Sequence, residues 1–167
     1  AAIHVLQGAH LRQSGVRSLA EALRWVPGMQ VGRIDANKWA ISARGFSDRF
    51  AQKLLILIDG REVYSPLFSG VHWEAQDVLL EDVDRIEIIR GPGATLWGAN
   101  AVNGIVNVVT RPATETRGRY AQVGLGSEER GFVGLRWGGR LGGTPVRVWA
   151  KAFRRDAAVD ADGIATA

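Results

Sequence analysis

The stretch RIEIIRGPGATLWG, residues 85–98, has the most suggestive chemistry in the chain. An apolar run ends at Arg90 and opens into Gly91, Gly93 and Gly98. Glycines after a strand let a backbone approach a pyrophosphate at a helix N-terminus, which would make this a soluble nucleotide-binding α/β enzyme. The spacing argues against that reading. The dinucleotide fingerprint G-x-G-x-x-G would put its third glycine at position 96, which is Leu96. The next strand-like run starts at Gly104, and the Gly-rich residues between leave no comfortable room for a crossover helix. No Gly-Lys-Ser or Gly-Lys-Thr completes a Walker loop.

Other catalytic patterns are as thin. The histidines are His4, His10 and His72, none at a metal-ligand spacing such as H-E-x-x-H. His72, beside Trp73 in a loop, is the one best placed for a site. There is no G-x-S-x-G elbow, and without cysteine there is neither a thiolate nucleophile nor a disulfide. Glu81, Asp82 and Asp84 read as a solvated acidic patch at a helix end. These residues assemble no acid–base pair with a defined role and point to no resident cofactor. Arg44 and Arg90 are more informative. Each ends a strand-like run and precedes a glycine, in ARGF and IRGP. An arginine there must find carboxylate or carbonyl partners, either internal (Glu87 or Asp59) or on another domain.

The elements that would position these groups follow from periodicity. Ile3–Leu6 reads as a strand and Gly8–Ser14 as a helical turn ended by Gly15. Ser18 and Glu21 open SLAEALRWVPG as a capping box, with Leu19, Ala22, Leu23 and Val26 on one face and Pro27-Gly28 as the stop. Met29–Ile34 and Trp39–Arg44 are strands. Leu54–Ile58 is apolar at every position and predicts a central strand buried on both faces, returning through Asp59-Gly60 to Arg61–Tyr64. Asp77–Val83 predicts a short helix, and Arg85–Arg90 and Gly104–Arg111 two more strands. After residue 113 the texture changes to long alternating runs at 119–126, 130–140 and 145–155, joined by tight turns. Val133, Leu135 and Trp137 share one side of the second run, with Arg136 on the other. Such strands suit a transmembrane β-barrel wall or a soluble meander.

Composition bounds the rest. The chain has 167 residues, 46% of them hydrophobic and 23% charged, which is ordinary for a folded protein. Glycine is enriched at 21 residues and tryptophan at six. The net charge of +4 is spread thinly, unlike the clustered charge of a nucleic-acid binder. No apolar run approaches the roughly 20 residues of a membrane-spanning helix. The chain starts AAIHVLQGAHLRQ, without an initiator Met or a signal-peptide pattern, and so reads as a mature product or an excised piece.

Four segments together resemble one family. SLAEALRWVPGMQV at 18–31, RGF at 44–46, LLILIDGREVY at 54–64 and LEDVDRIEIIRGPGATLWGANAVNGIVNVVTR at 80–111 are similar to the plug domain of TonB-dependent outer-membrane receptors. The resemblance implies a plug over 1–113, a small mixed β-sheet with short helices. It implies that 114–167 begins a transmembrane barrel of antiparallel strands, about 22 when complete. Nothing matching the family's TonB box precedes Ile3, and most of a barrel is missing, so the chain reads as a fragment unable to transport alone.

The mechanism so implied is gated uptake. The plug blocks its own barrel in the outer membrane, open to the periplasm, and apical loops bind a ferric siderophore, haem, cobalamin or other metal chelate. TonB, driven by the proton gradient, then opens a path. Ligand contacts are expected from Arg33, Trp39, Arg49, Phe68, His72 and Trp73, with Lys38 and Tyr64 nearby. Cations beside aromatic faces suit an anionic, partly aromatic chelate. By the same resemblance Arg44 and Arg90 lie near each other and interlock with barrel glutamates, and Gly91, Gly93, Gly98 and Gly104 are structural glycines packed at the wall.

Overall fold

The computed structural model describes residues 2–43, 54–65, 67, 70–73, 75–91, 97, 101, 103–127 and 129–157. It divides into two compact units, Ala1–Thr110 and Arg111–Ala167.

The first unit opens with β1 (Ala2–Gln7), α1 (Gly8–Ser14) and α2 (Leu19–Ala22), which tightens into a 3-10 turn at Leu23–Trp25. Gly15 ends α1 in the left-handed conformation, φ 74°. Ser18 caps α2, its Oγ accepting the Glu21 N–H at 3.2 Å. Glu21 reaches back one residue further than a capping box requires and accepts the Arg17 N–H at 2.7 Å. A hairpin of β2 (Met29–Arg33) and β3 (Trp39–Ala43) follows. Then come β4 (Leu54–Ile58), the two-residue β5 (Arg61–Glu62), β6 (Val83–Arg90) and β7 (Gly104–Thr110). The expected helix at 77–83 is only a 3-10 turn, Leu80–Asp82, because Val83 already belongs to β6. Asp82, expected in a solvated patch, is buried there.

The main sheet is mixed, in the order β1-β6-β7-β4-β5. Among its described strands, only β4 and β7 run parallel. Register places Leu6, Ile86, Val108 and Ile58 in one row across the sheet, and Ile88, Val106 and Ile56 in the next. These residues share the main buried cluster with Leu11, Leu19, Leu23 and Val26 from the helical segments. Leu55, Leu57, Ile105 and Ala101 form a smaller cluster on the other face. The unbroken run LLILI thus feeds two cores at alternate residues, as its lack of alternation predicts. Its place differs from the expectation, since β7, not β4, holds the middle of the sheet. The antiparallel pairing of β6 with β7 also removes the nucleotide-binding alternative, whose crossover requires parallel strands.

The second unit is a meander of β8 (Gly118–Gly124), β9 (Glu129–Leu141) and β10 (Thr144–Arg155), in the order β10-β9-β8. Gly142 and Gly143 turn β9 into β10 with φ of 54° and 87°, the doubly positive geometry of a two-residue hairpin loop. Register sets Val133, Leu135 and Trp137 on one face with Ala121, Val123, Val148, Ala150 and Ala152. The opposite face carries the row Tyr120, Arg136, Trp149, with the Arg136 guanidinium 5.4 Å from the Tyr120 ring centre.

Candidate functional site

The hairpin tip between β2 and β3 is held by its own polar groups. Ile34 N–H donates to the Lys38 carbonyl at 2.8 Å. The Asp35 carboxylate accepts the Asn37 N–H at 3.0 Å and pairs with Lys38 Nζ at 2.6 Å. Lys38, then Asn37, hold the Asp35 carboxyl below its ordinary value. Arg33 closes the loop from the other side, donating from Nε to the Asp35 carbonyl at 3.1 Å and from Nη2 to the Ala36 carbonyl at 3.3 Å.

Trp39 faces Arg33 across the hairpin and is only 4% exposed. The guanidinium carbons of Arg24 and Arg33 lie 5.2 and 5.9 Å from its ring centre. Two cations so close to one indole are each attracted by its ring quadrupole. The sequence reading named Arg33 and Trp39 but missed Arg24. The available signal was Arg24's place at the end of an amphipathic helix, facing away from the Leu19–Leu23 stripe.

His72 and Trp73 lie in a separate turn. The His72 carbonyl accepts the Ala75 N–H at 3.0 Å, and the Trp73 carbonyl accepts the Gln76 N–H at 3.3 Å. His72 is half-buried, whereas Trp73 is 5% exposed and belongs to the main core cluster. Leading into this turn, Ser65 and Gly70 exchange backbone hydrogen bonds at 2.9 and 3.3 Å. Arg49 and Phe68 lie outside the described residues, as do Arg44, Gly93 and Gly98.

Arg90 ends β6 as expected, and its Nη1 donates to the Pro27 carbonyl at 2.6 Å. Glu87 and Asp59, the internal carboxylates considered for it, are engaged elsewhere. Glu87 accepts from Asn107 Nδ2 at 3.0 Å and Arg85 Nε at 2.7 Å, and Arg85 also reaches Asp84 at 2.6 Å. Asn107 first, then Arg85, hold the Glu87 carboxyl below its ordinary value. Just after Arg90, the Gly91 N–H donates to the Asn103 carbonyl at 3.3 Å. Gly104 sits against its own sheet, where an added Cβ would lie 2.7 Å from the Ile89 carbonyl oxygen.

The chain belongs to the TonB-dependent receptor plug domain family, which residues 1–105 match. It is 29% identical to BtuB, the vitamin B12 transporter of Vibrio vulnificus (strain CMCP6), over 126 residues, 74% of this chain and 20% of that protein. It is 37% identical over 118 residues to the iron-regulated outer membrane virulence protein of Vibrio cholerae serotype O1 (strain ATCC 39315), covering 66% of this chain and 17% of that protein. The siderophore receptor PirA from Pseudomonas aeruginosa superposes with a TM-score of 0.68 at 25% identity, over 92% of this chain and 28% of that one. The chain spans about a fifth of the length of the curated relatives it matches.

Proposed function

We propose that residues 1–113 are the plug, and 114–167 the first barrel strands, of an outer-membrane receptor that gates energised uptake of a scarce ligand. The observation that carries this reading is the pattern that follows the plug match. Val133, Leu135 and Trp137 stand 38%, 52% and 42% exposed on one face of β9, while Arg136 lies half-buried on the other. A soluble meander would bury the apolar face. A barrel wall turns it to lipid and keeps arginine in the lumen, since arginine on the lipid face at mid-membrane costs about 2–4 kcal/mol.

The plug would sit inside the barrel, open to the periplasm, with TonB as the energy-transducing partner and a metal chelate as cargo. Ferric siderophores, haem and cobalamin are the candidate classes. No bond is made or broken in such a cycle, so the protein is a transporter and not an enzyme. Arg33, Arg49, Phe68 and His72 form the proposed apical set, backed from the core by the buried Trp39 and Trp73. Arg33 shapes the hairpin tip and Trp39 supports the two arginines beside it. Arg44 and Arg90 are the proposed interlock. Arg90 donates from Nη1 to the Pro27 carbonyl, and a barrel carboxylate is its proposed partner across the interlock.

Growth of a strain lacking the full gene tests this. Supplying each chelate class as sole source of its metal, or cobalamin as sole source of that vitamin, should expose a defect with one class that the cloned gene repairs. Normal growth of the deletion strain on every class would contradict the reading.

A further inference from the structure

The apolar face of the three-strand unit is a groove with a cation at one end. Small side chains, Ala121 and Ala150, lie on either side of Leu135 in one row. In the adjacent row Arg119, Trp137 and Val148 stand side by side. Together with the strand positions Tyr120, Arg136 and Trp149 that lie between the two rows, these residues line a depression of about 560 Å³, within the roughly 300–1,000 Å³ range of small-molecule sites. Arg119 is exposed. Among the described residues of the paired strands its face carries no carboxylate; Val123, Val133, Ala152 and Val146 lie on it, with a second cation, Arg154, at the far end.

We propose that this groove seats one anionic phospholipid, its phosphate on the Arg119 guanidinium and an acyl chain along Ala121, Leu135 and Ala150. The proposal rests on the barrel reading, which turns this face to lipid. Three features select the occupant. An arginine among lipid-facing residues is tolerated near the bilayer boundary, where its long stem carries the charge to the headgroups. Tryptophan marks the same depth, and Trp137 is Arg119's direct cross-strand neighbour. The rows beyond, Ala121–Leu135–Ala150 and Val123–Val133–Ala152, are wholly apolar and lead into the hydrocarbon. A cation without an anion on its own face, at the head of an apolar trough, complements a phosphate ester with a fatty chain and does not complement a zwitterion equally.

The test uses the full-length receptor in micelles with equimolar phosphatidylglycerol and phosphatidylcholine, its retained lipids counted by native mass spectrometry. One basic residue near the surface should enrich the anionic lipid about fivefold at its site. Arg119→Gln should abolish that increment and Arg119→Lys should keep it. Ala121→Phe with Ala150→Phe, which fills the trough, should reduce retention of both lipids. Unchanged enrichment in Arg119→Gln overturns the proposal, as does a dimer of the receptor that the trough-filling pair dissolves. Cysteine at 135 separates the two levels. If a lipid-soluble maleimide reaches it and Arg119→Gln has no effect, the lipid site alone fails. If the reagent does not reach it, the barrel reading fails as well.

Discussion

Asp59 holds Thr110, 51 residues further along the chain, through both carboxylate oxygens. Oδ1 accepts the Thr110 N–H at 2.7 Å and Oδ2 accepts its hydroxyl at 2.8 Å. The Asp59 N–H in turn donates to the Val108 carbonyl at 2.9 Å. Asp59 adopts φ 49°, a left-handed conformation that aspartate tolerates better than most side chains. The turn after β4 thereby fastens the end of β7, the last strand of the plug unit.

Asp59→Ala should loosen that end by about 1–2 kcal/mol, from two lost hydrogen bonds in an exposed setting and a methyl side chain forced to positive φ. Asp59→Gly keeps the turn geometry and should lose less. Hydrogen exchange of the Val108 and Thr110 amides in the full receptor measures both; equal protection in wild type and Asp59→Ala would contradict the clamp.

The Glu87 carboxyl is held below its ordinary 4.5 and the Asp35 carboxyl below its ordinary 3.8. Folding therefore favours the ionised forms. Their contribution is fully present above the ordinary values and is lost as pH falls through the lower folded-state values. Protection of β6 and β7 amides, corrected for intrinsic exchange, should hold from pH 7 to about 5 and decline below about 4.5. Glu87→Gln should flatten part of that decline. An identical pH profile in Glu87→Gln would count against the Asn107–Glu87–Arg85 network.

Glycines at two strand positions should behave oppositely. Gly104→Ala places a methyl 2.7 Å from the Ile89 carbonyl and should destabilise the plug by about 1–3 kcal/mol. Gly32→Ala, whose nearest neighbour would be the Ala40 carbonyl at 3.9 Å, should stay within about 0.5 kcal/mol. Limited proteolysis of the two variants ranks them, and equal resistance would refute the close approach at Gly104.

The local elements were largely legible in the sequence because their signals are local. Ser18, Gly15 and the Gly142-Gly143 turn sit where capping and hairpin chemistry place them. The order β1-β6-β7-β4-β5 was not legible, because parallel pairing of β4 with β7 joins residues about 50 apart with no local cue. Arg90 illustrates the same limit. Its need for a partner follows from its place at a strand end, but the partner is a backbone carbonyl at Pro27, which no side-chain pattern advertises. Trp39 and Trp73 are expected from the resemblance as ligand contacts, yet both are packed inside. Residue type marks an aromatic, whereas burial depends on which elements fold over it.

Facing on β9 gives a direct check of the barrel wall. Cysteines placed singly from 132 to 138 in the full receptor should react with a lipid-soluble label at 133, 135 and 137 and resist it at 134 and 136. Labelling with helical periodicity would overturn the strand assignment in membranes.

Energised uptake tests the central claim most directly. Cells carrying the full receptor are given the radiolabelled chelate identified by growth, with TonB intact or deleted. The account predicts binding at the surface in both strains and accumulation only where TonB is present and the proton gradient is intact. Equal accumulation without TonB, or after the gradient is collapsed, would contradict it.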